Sequence, residues 1–279
     1  MKRRDFLKTL AAVAACGGFG RLAAASPRKH ATDRVLLGPR EISASRMFVG
    51  TGTGGWGGSS NQSRELGLSG LATLLRHASD QGVTGWDTAD QYGTHPHVRE
   101  ALKGVPRERI TILTKTRAST AGQLREDLDR FRGELGTDYL DILLLHCLTD
   151  ARWPETMRPV MDAIDEAQKK GIVRSKGVSC HSLGALRAAA DEPWVEVDLA
   201  RINPAGKLMD ADPQTVIAVL EKMKSAGKGV MGMKLLGAGG LTSRVEECLA
   251  FATALECLDA FTIGCRSRSQ FDDLLRRMT

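Results

Sequence analysis

GWDTADQYG, residues Gly85 to Gly93, begins as a strand and ends as a loop. Val83, Gly85 and Asp87 alternate with Thr84, Trp86 and Thr88, the two-residue period of a strand. The stretch leaves an acid where the strand ends and a phenol, Tyr92, five residues later. Its spacing to two other strand ends decides the fold. Lys115 closes ITILTK (110–115), 28 residues after Asp87, and His146 closes YLDILLLH (139–146), 31 residues after Lys115. Each interval is the length of one strand–helix unit.

The same alternation runs through the chain. Strand-like runs also occur at 47–52, 84–89, 173–179, 197–203, 229–236 and 258–264, making eight with the two above. Helical periods lie between them. The clearest is Leu124, Leu128, Phe131 and Leu135. Others are Gly70–Gln81, Pro154–Lys170, Leu183–Asp191, Pro213–Ala226, Ser243–Ala254 and Ser269–Met278, and Gly82, Gly136, Gly171 and Gly227 follow helical segments as stop signals. Alternating strands and helices give a parallel sheet. Eight units of roughly 30 residues are the arithmetic of a single-domain (β/α)8 barrel, a TIM barrel. The competing fold is a doubly wound sheet with a glycine-rich phosphate loop after its first strand. GTGTGGWGG (50–58) stands there, but no clear helix opens from it and no acid ends the second strand in ribose-binding register. The expected organisation is a signal peptide at 1–25, an N-terminal extension or hairpin at 26–45, and the barrel at 46–279.

The 279-residue chain is 42% hydrophobic and 26% charged, ordinary for a globular protein. Its net charge of +6 is concentrated in the leader, where Lys2, Arg3, Arg4, Lys8 and Arg21 face only Asp5. The rest is nearly balanced and shows no basic stripe interleaved with aromatics, which argues against nucleic acid as a partner. The leader joins a basic start to a weakly apolar stretch and an Ala23-Ala24-Ala25 cleavage pattern. The stretch 9–20 is too short to span a membrane. RRDFLK resembles the twin-arginine export signal, with Arg3-Arg4 followed by Phe6, Leu7 and Lys8. It implies the twin-arginine machinery as a partner, export in the folded state and a periplasmic destination. VAAC (13–16) resembles a lipoprotein box, so a lipid anchor on Cys16 is the alternative.

Six cysteines, five of them after residue 25, show no C-x-x-C spacing. An odd count without such spacing gives neither a disulfide framework nor a structural zinc site. His95, His97, His146, Cys147, Cys180 and His181 all fall towards one face, but His95-Pro96-His97 builds no chelate on a regular element. No metal is expected.

In a barrel, consecutive strand ends are neighbours on the catalytic face. Asp87, Lys115 and His146 should therefore converge, with Tyr92 in the loop above them. A phenol near pKa 10 is a poor acid, and a neighbouring ammonium stabilises the phenolate and lowers that value. Asp87 would hold Lys115 charged, and His146 would donate a hydrogen bond to a carbonyl oxygen. Such a site protonates a developing alkoxide. None of the four is a nucleophile, so electrons must arrive from elsewhere, most simply as hydride from a nicotinamide.

At these residues the chain resembles the aldo-keto reductases, through GWDTADQYG, ITILTKT, DYLDILLLH, GVSCHS and FTIGCRSRSQ, over roughly residues 35–275. The resemblance implies a (β/α)8 barrel that binds NADP(H) extended across its C-terminal face. It implies reduction of an aldehyde or ketone to an alcohol, with Tyr92 as general acid/base and Lys115, Asp87 and His146 assisting. It also places cofactor contacts. Ser179 would reach the nicotinamide amide, and Cys180 stands where the family carries Asn. Asn203 is the nearest match to a polar contact after the sixth strand. After the eighth strand, Arg266, Ser267 and Arg268 would hold the adenosine phosphate and Gln270 the adenine, with Gly264 a further cofactor contact.

The sequence also departs from the family. It ends at Thr279 without the long segment that encloses substrate in many members, and the loop CLTDARWPETM is short. An open pocket follows, with Trp56 and Trp153 as candidate walls. The expected protein is a monomer acting on a small carbonyl compound. The alternatives are a non-catalytic nicotinamide-binding or regulatory barrel, and a lyase or isomerase using the same Tyr and Lys.

Overall fold

A computed structural model describes residues 29–278; the expected leader, with Arg3, Arg4 and Cys16, lies outside them. The first elements form a hairpin, β1 (Arg34–Leu37) and β2 (Ile42–Ser45), paired antiparallel. Eight parallel strands follow: β3 (Met47–Gly50), β4 (Gly85–Asp87), β5 (Thr111–Thr116), β6 (Leu140–Leu148), β7 (Val173–Cys180), β8 (Val197–Arg201), β9 (Gly229–Met233) and β10 (Ala260–Gly264). Each pairs with the next, and β10 closes onto β3. These strands are the eight runs legible in the sequence. Closure excludes the doubly wound sheet.

The strand period sorts side chains into two cores. Phe48, Leu113, Ile142, Leu144, Val197, Leu199, Met231 and Ala260 fill the barrel interior. Leu37, Ile42 and Ala44 of the hairpin plug its floor from below. Leu143, Leu145, Val178 and Ala200 point the other way, into the layer shared with the helices. Each buried aliphatic side chain contributes about 1.5–3 kcal/mol. This parity positions the site. Lys115 follows Leu113 by two residues, and His146 follows Leu144 by two, so both point inward at the open end.

The helices are α1 (Asn61–Asp80), α2 (His95–Leu102), α3 (Ala121–Leu135), α4 (Trp153–Thr156), α5 (Arg158–Lys169), α6 (Leu183–Asp191), α7 (Pro213–Ser225), α8 (Val245–Ala254) and α9 (Arg268–Arg277). Helix α3 shows the local logic. The Thr120 side chain accepts from the Gln123 amide, the buried stripe is Leu124, Leu128, Phe131 and Leu135, and Gly136 ends it at φ 67°.

Three elements differ from the sequence expectation. Helix α1 starts well before Gly70, because Ser60 and Ser63 form a reciprocal capping box, and the helix continues across a break at Gly67. A helix therefore does open from the glycine cluster. Helix α2 had no strong apolar period and was missed. The expected helix 154–170 is two, α4 and α5, with Pro159 in the first turn of the second. Trp153 is buried, and its Nε1 donates to the Ala185 carbonyl at 3.2 Å, so it is core and not a pocket wall. Among the described residues, no helix is long and apolar enough to cross a membrane, and no group of three or more His, Cys, Asp or Glu could hold a metal.

Candidate active site

Asp87, Tyr92, Lys115 and His146 come together at the C-terminal mouth of the barrel. Lys115 is ion-paired with Asp87 and donates to the Thr88 carbonyl at 2.9 Å. Its Nζ lies 4.9 Å from the centre of the Tyr92 ring. The Tyr92 hydroxyl is 3.5 Å from His146 Nε2, with the two rings edge to face at 83°. Lys115 is 1% exposed and Asp87 5%, so the pair is withdrawn from water.

The loop residues around Tyr92 are chosen to seat its ring. Tyr92 ends a single 3-10 turn, Asp90–Tyr92, closed by Gly93 at φ 62°. A Cβ on Gly52 would fall 2.1 Å from the ring, and one on Gly55 2.2 Å from it. The glycine cluster after the first barrel strand is thus the wall against which the phenol lies. Behind the loop, Thr94 Oγ1 is 2.7 Å from both Thr51 Oγ1 and Thr88 Oγ1, a buried hydroxyl chain that ties the loop to two strand ends.

The electrostatics separate the roles. Burial raises the Tyr92 phenol above its ordinary value, and Lys115 only partly offsets this. The expected net lowering is therefore corrected: without ligand, Tyr92 holds its proton firmly. Burial opposes charge on Lys115, but Asp87 and Tyr92 outweigh it and keep the ammonium protonated. Burial, reinforced by Lys115, pushes His146 down to about 2, so the imidazole is neutral. Its Nδ1 is buried without a partner among the described residues, while Nε2 faces the phenol.

A groove of about 570 Å³ leads away from this centre. It runs from Asp87 and Tyr92 past Met233, Lys234 and Leu236 to Thr262, Gly264, Arg266 and Gln270 at the start of α9. Lys234, held at φ 58°, is half-buried and has no carboxylate partner among the described residues. The Thr262 hydroxyl is buried and has no hydrogen-bond partner among the described residues.

A family model described as the aldo/keto reductase family matches residues 47–257. The chain belongs to the aldo/keto reductase family. A second model, the twin-arginine translocation pathway signal sequence, matches residues 1–20 and marks the chain for export. An aldo-keto reductase of Mycolicibacterium paratuberculosis is 35% identical over 118 residues, 38% of each chain. The methylglyoxal reductase DkgA of Escherichia coli O157:H7 is 30% identical over 182 residues, 60% of this chain and 63% of that one. The match thus spans only about 38% to 63% of the length of these curated relatives. Among solved structures, an aldo-keto reductase from Pseudomonas aeruginosa superposes with a TM-score of 0.72 at 19% identity, covering 90% of this chain and 96% of that one.

In this aldo/keto reductase family member, the expected cofactor contacts divide. Gly264, Arg266 and Gln270 line the groove. A Cβ on Gly264 would meet Thr53 Oγ1 at 2.4 Å, so the strand end must be bare. Ser179 points inward beside the site, and its hydroxyl accepts from the Cys147 amide at 3.1 Å. Ser267 caps α9 by accepting from the Gln270 amide, and Gln270 Oε1 accepts from the Arg266 amide at 2.9 Å. Arg266 is engaged by Glu65 in a two-pronged ion pair.

Four of the residues singled out in the sequence do not line the groove. Cys180 is one residue out of the inward phase and packs in the outer core, where burial lifts its thiol well above the usual range. Asn203 is consumed internally: its amide nitrogen donates to the Lys207 and Lys234 carbonyls, and its oxygen accepts from the Ala205 and Lys207 amides. Arg268 is exposed and does not line the groove. His95 leaves the common face for the helix layer, 2.8 Å from both Glu134 and Thr114.

Other residues at the mouth carry functional groups to which no role was assigned from sequence. Lys234 directly follows β9 and Lys115 is the penultimate residue of β5, so the strand-end rule that found one could have found the other. Cys147, at φ 60°, places its sulfur 3.6 Å from His181 Nε2. Arg201, at the end of β8, is paired with Asp210. Arg117 lies just past Lys115 and stacks over the Trp56 ring at 5.4 Å.

Proposed function

We propose that this protein is an NADP(H)-dependent carbonyl reductase delivered to the periplasm. The observation that carries the reading is the Tyr92–His146 contact with the buried Lys115–Asp87 pair beneath it. The groove supports the cofactor. It is long, starts at the phenol, and offers Lys234, Gln270, the Thr262 hydroxyl and the start of α9, a donor set suited to an extended anion. Bound there, a nicotinamide supplies hydride.

The chain's own residues do the rest. His146 Nε2 and the Tyr92 hydroxyl form a pair of donors for one carbonyl oxygen. As charge builds on that oxygen, Tyr92 releases its proton to it. The phenolate left behind is stabilised by the Lys115 ammonium, which Asp87 keeps charged and in place. The neutral state of His146 suits a hydrogen-bond donor better than a proton source. Placing the ionic pair beneath the phenol means that little must move when the proton leaves.

The test is turnover. NADPH oxidation by the purified exported protein, followed by absorbance across small aldehydes and ketones, should show stoichiometric alcohol formation. NADPH binding without turnover of any carbonyl would favour a non-catalytic barrel.

A further inference from the structure

The charges at the barrel mouth do not balance. Lys115, Arg117, Arg201 and Lys234 all act on His146, Cys147 or His181. Two of these cations have a carboxylate: Lys115 is paired with Asp87 and Arg201 with Asp210. Arg117 and Lys234 form no ion pair with a carboxylate among the described residues, although Asp210 acts on Lys234 from farther off. Lys234 lines the cofactor groove. Arg117 does not; its Nη1 sits 3.5 Å from Oε1 of Gln91, the neighbour of Tyr92.

Trp56 is the second observation. Its side chain belongs to the loop whose Gly52 and Gly55 bear on the Tyr92 ring, and it is 68% exposed. An indole so placed beside an active site is unusual, since tryptophan is highly buried on average. Here it lies against the Arg117 guanidinium, whose side-chain hydrogen bonding among the described residues is to Gln91 alone.

We propose that Arg117, presented on Trp56, is a specificity residue that selects carbonyl substrates carrying a carboxylate. The proposal rests on the carbonyl reductase reading above. A single unpaired guanidinium matches a single negative charge, and its planar fork matches a carboxylate in two parallel hydrogen bonds. The contact with Gln91, and the influence of Arg117 on His146 and Cys147, place that charge at the mouth beside the site. The substrate carbonyl would meet Tyr92 and His146 while its acid group lies outward, against Arg117.

The experiment compares 4-carboxybenzaldehyde with its neutral methyl ester, which resemble each other in size and carbonyl reactivity. The exported protein should favour the acid in kcat/KM by about tenfold or more, the scale of a hydrogen bond to a charged group. Added salt should shrink the preference. In Arg117→Leu the ratio should collapse towards one through a raised KM for the acid, and Arg117→Lys should restore part of it. Equal use of both aldehydes by the unaltered protein, or an unchanged ratio in Arg117→Leu, would overturn the proposal. If neither aldehyde is reduced, the carbonyl reductase reading fails separately. Calorimetry with benzoate then still decides: at least tenfold weaker binding in Arg117→Leu supports the carboxylate site, and equal binding overturns it.

Discussion

The hydroxyl of Tyr92 faces His146 Nε2 at 3.5 Å, and the ring behind that hydroxyl leaves no room for side chains on Gly52 or Gly55. One side of the phenol is thus defined by chemistry and the other by the absence of atoms. Each side makes a prediction.

Gly52→Ala should displace the phenol, because its Cβ would stand 2.1 Å from the ring. A misplacement of about 1 Å in a reacting group costs on the order of 10²-fold in rate. We expect kcat to fall by about that factor while NADPH affinity changes little. Normal turnover in Gly52→Ala would show that the glycine wall does not set the position of Tyr92.

On the proposed NADP(H) reading, Glu65, ion-paired with Arg266, competes with the cofactor for that guanidinium. Both partners are exposed, and such pairs are weak. Glu65→Gln should tighten NADPH binding by roughly two- to fivefold, with a smaller effect on NADH. Equal gains for both cofactors in a fluorescence titration would remove Arg266 from recognition of the extra phosphate.

Asp198 gives a pH signature. Both its oxygens are buried without partners among the described residues, and burial, with Asp210 adding, pushes it up to about 8. The folded chain therefore keeps a proton that the unfolded chain loses near pH 3.9. Between about pH 4 and 8 this group costs stability as pH rises, by at most about 1.4 kcal/mol per pH unit. Denaturant unfolding of Asp198→Asn and the unaltered protein should give a stability difference that shifts towards the variant over that window and levels above pH 8. A constant difference would mean that Asp198 is ionised in the fold.

Export should depend on Arg3 and Arg4, within the matched signal at residues 1–20. Replacing both by Lys should leave unprocessed, active protein in the cytoplasm. Normal processing of that variant, read by fractionation and N-terminal sequencing, would contradict the twin-arginine route.

The architecture was legible because strand parity and unit length are both periodic. Asp87, Lys115 and His146 stand two residues beyond interior-facing Gly85, Leu113 and Leu144, and that regularity is written in the chain. What was not legible depends on contacts between distant segments. The glycines at 52 and 55 looked like a weak phosphate loop until Tyr92 from the next unit was placed on them. Asn203 and Cys180 matched a family pattern by position, but one is spent on its own loop and the other faces the helices. The direction of the phenol's pKa was not legible, since the burial that raises it exists only in the fold.

The central claim is that Tyr92 supplies the proton. Tyr92→Phe removes only the hydroxyl and keeps the ring that fills the space against Gly52 and Gly55. Single-turnover reduction of a reactive aldehyde with saturating NADPH measures the chemical step directly. We predict a loss of about 10²–10⁴-fold, the range of general acid catalysis, with NADPH affinity within a factor of about two. Retention of more than about half the rate would mean that another group delivers the proton, and the assignment of the site would fall.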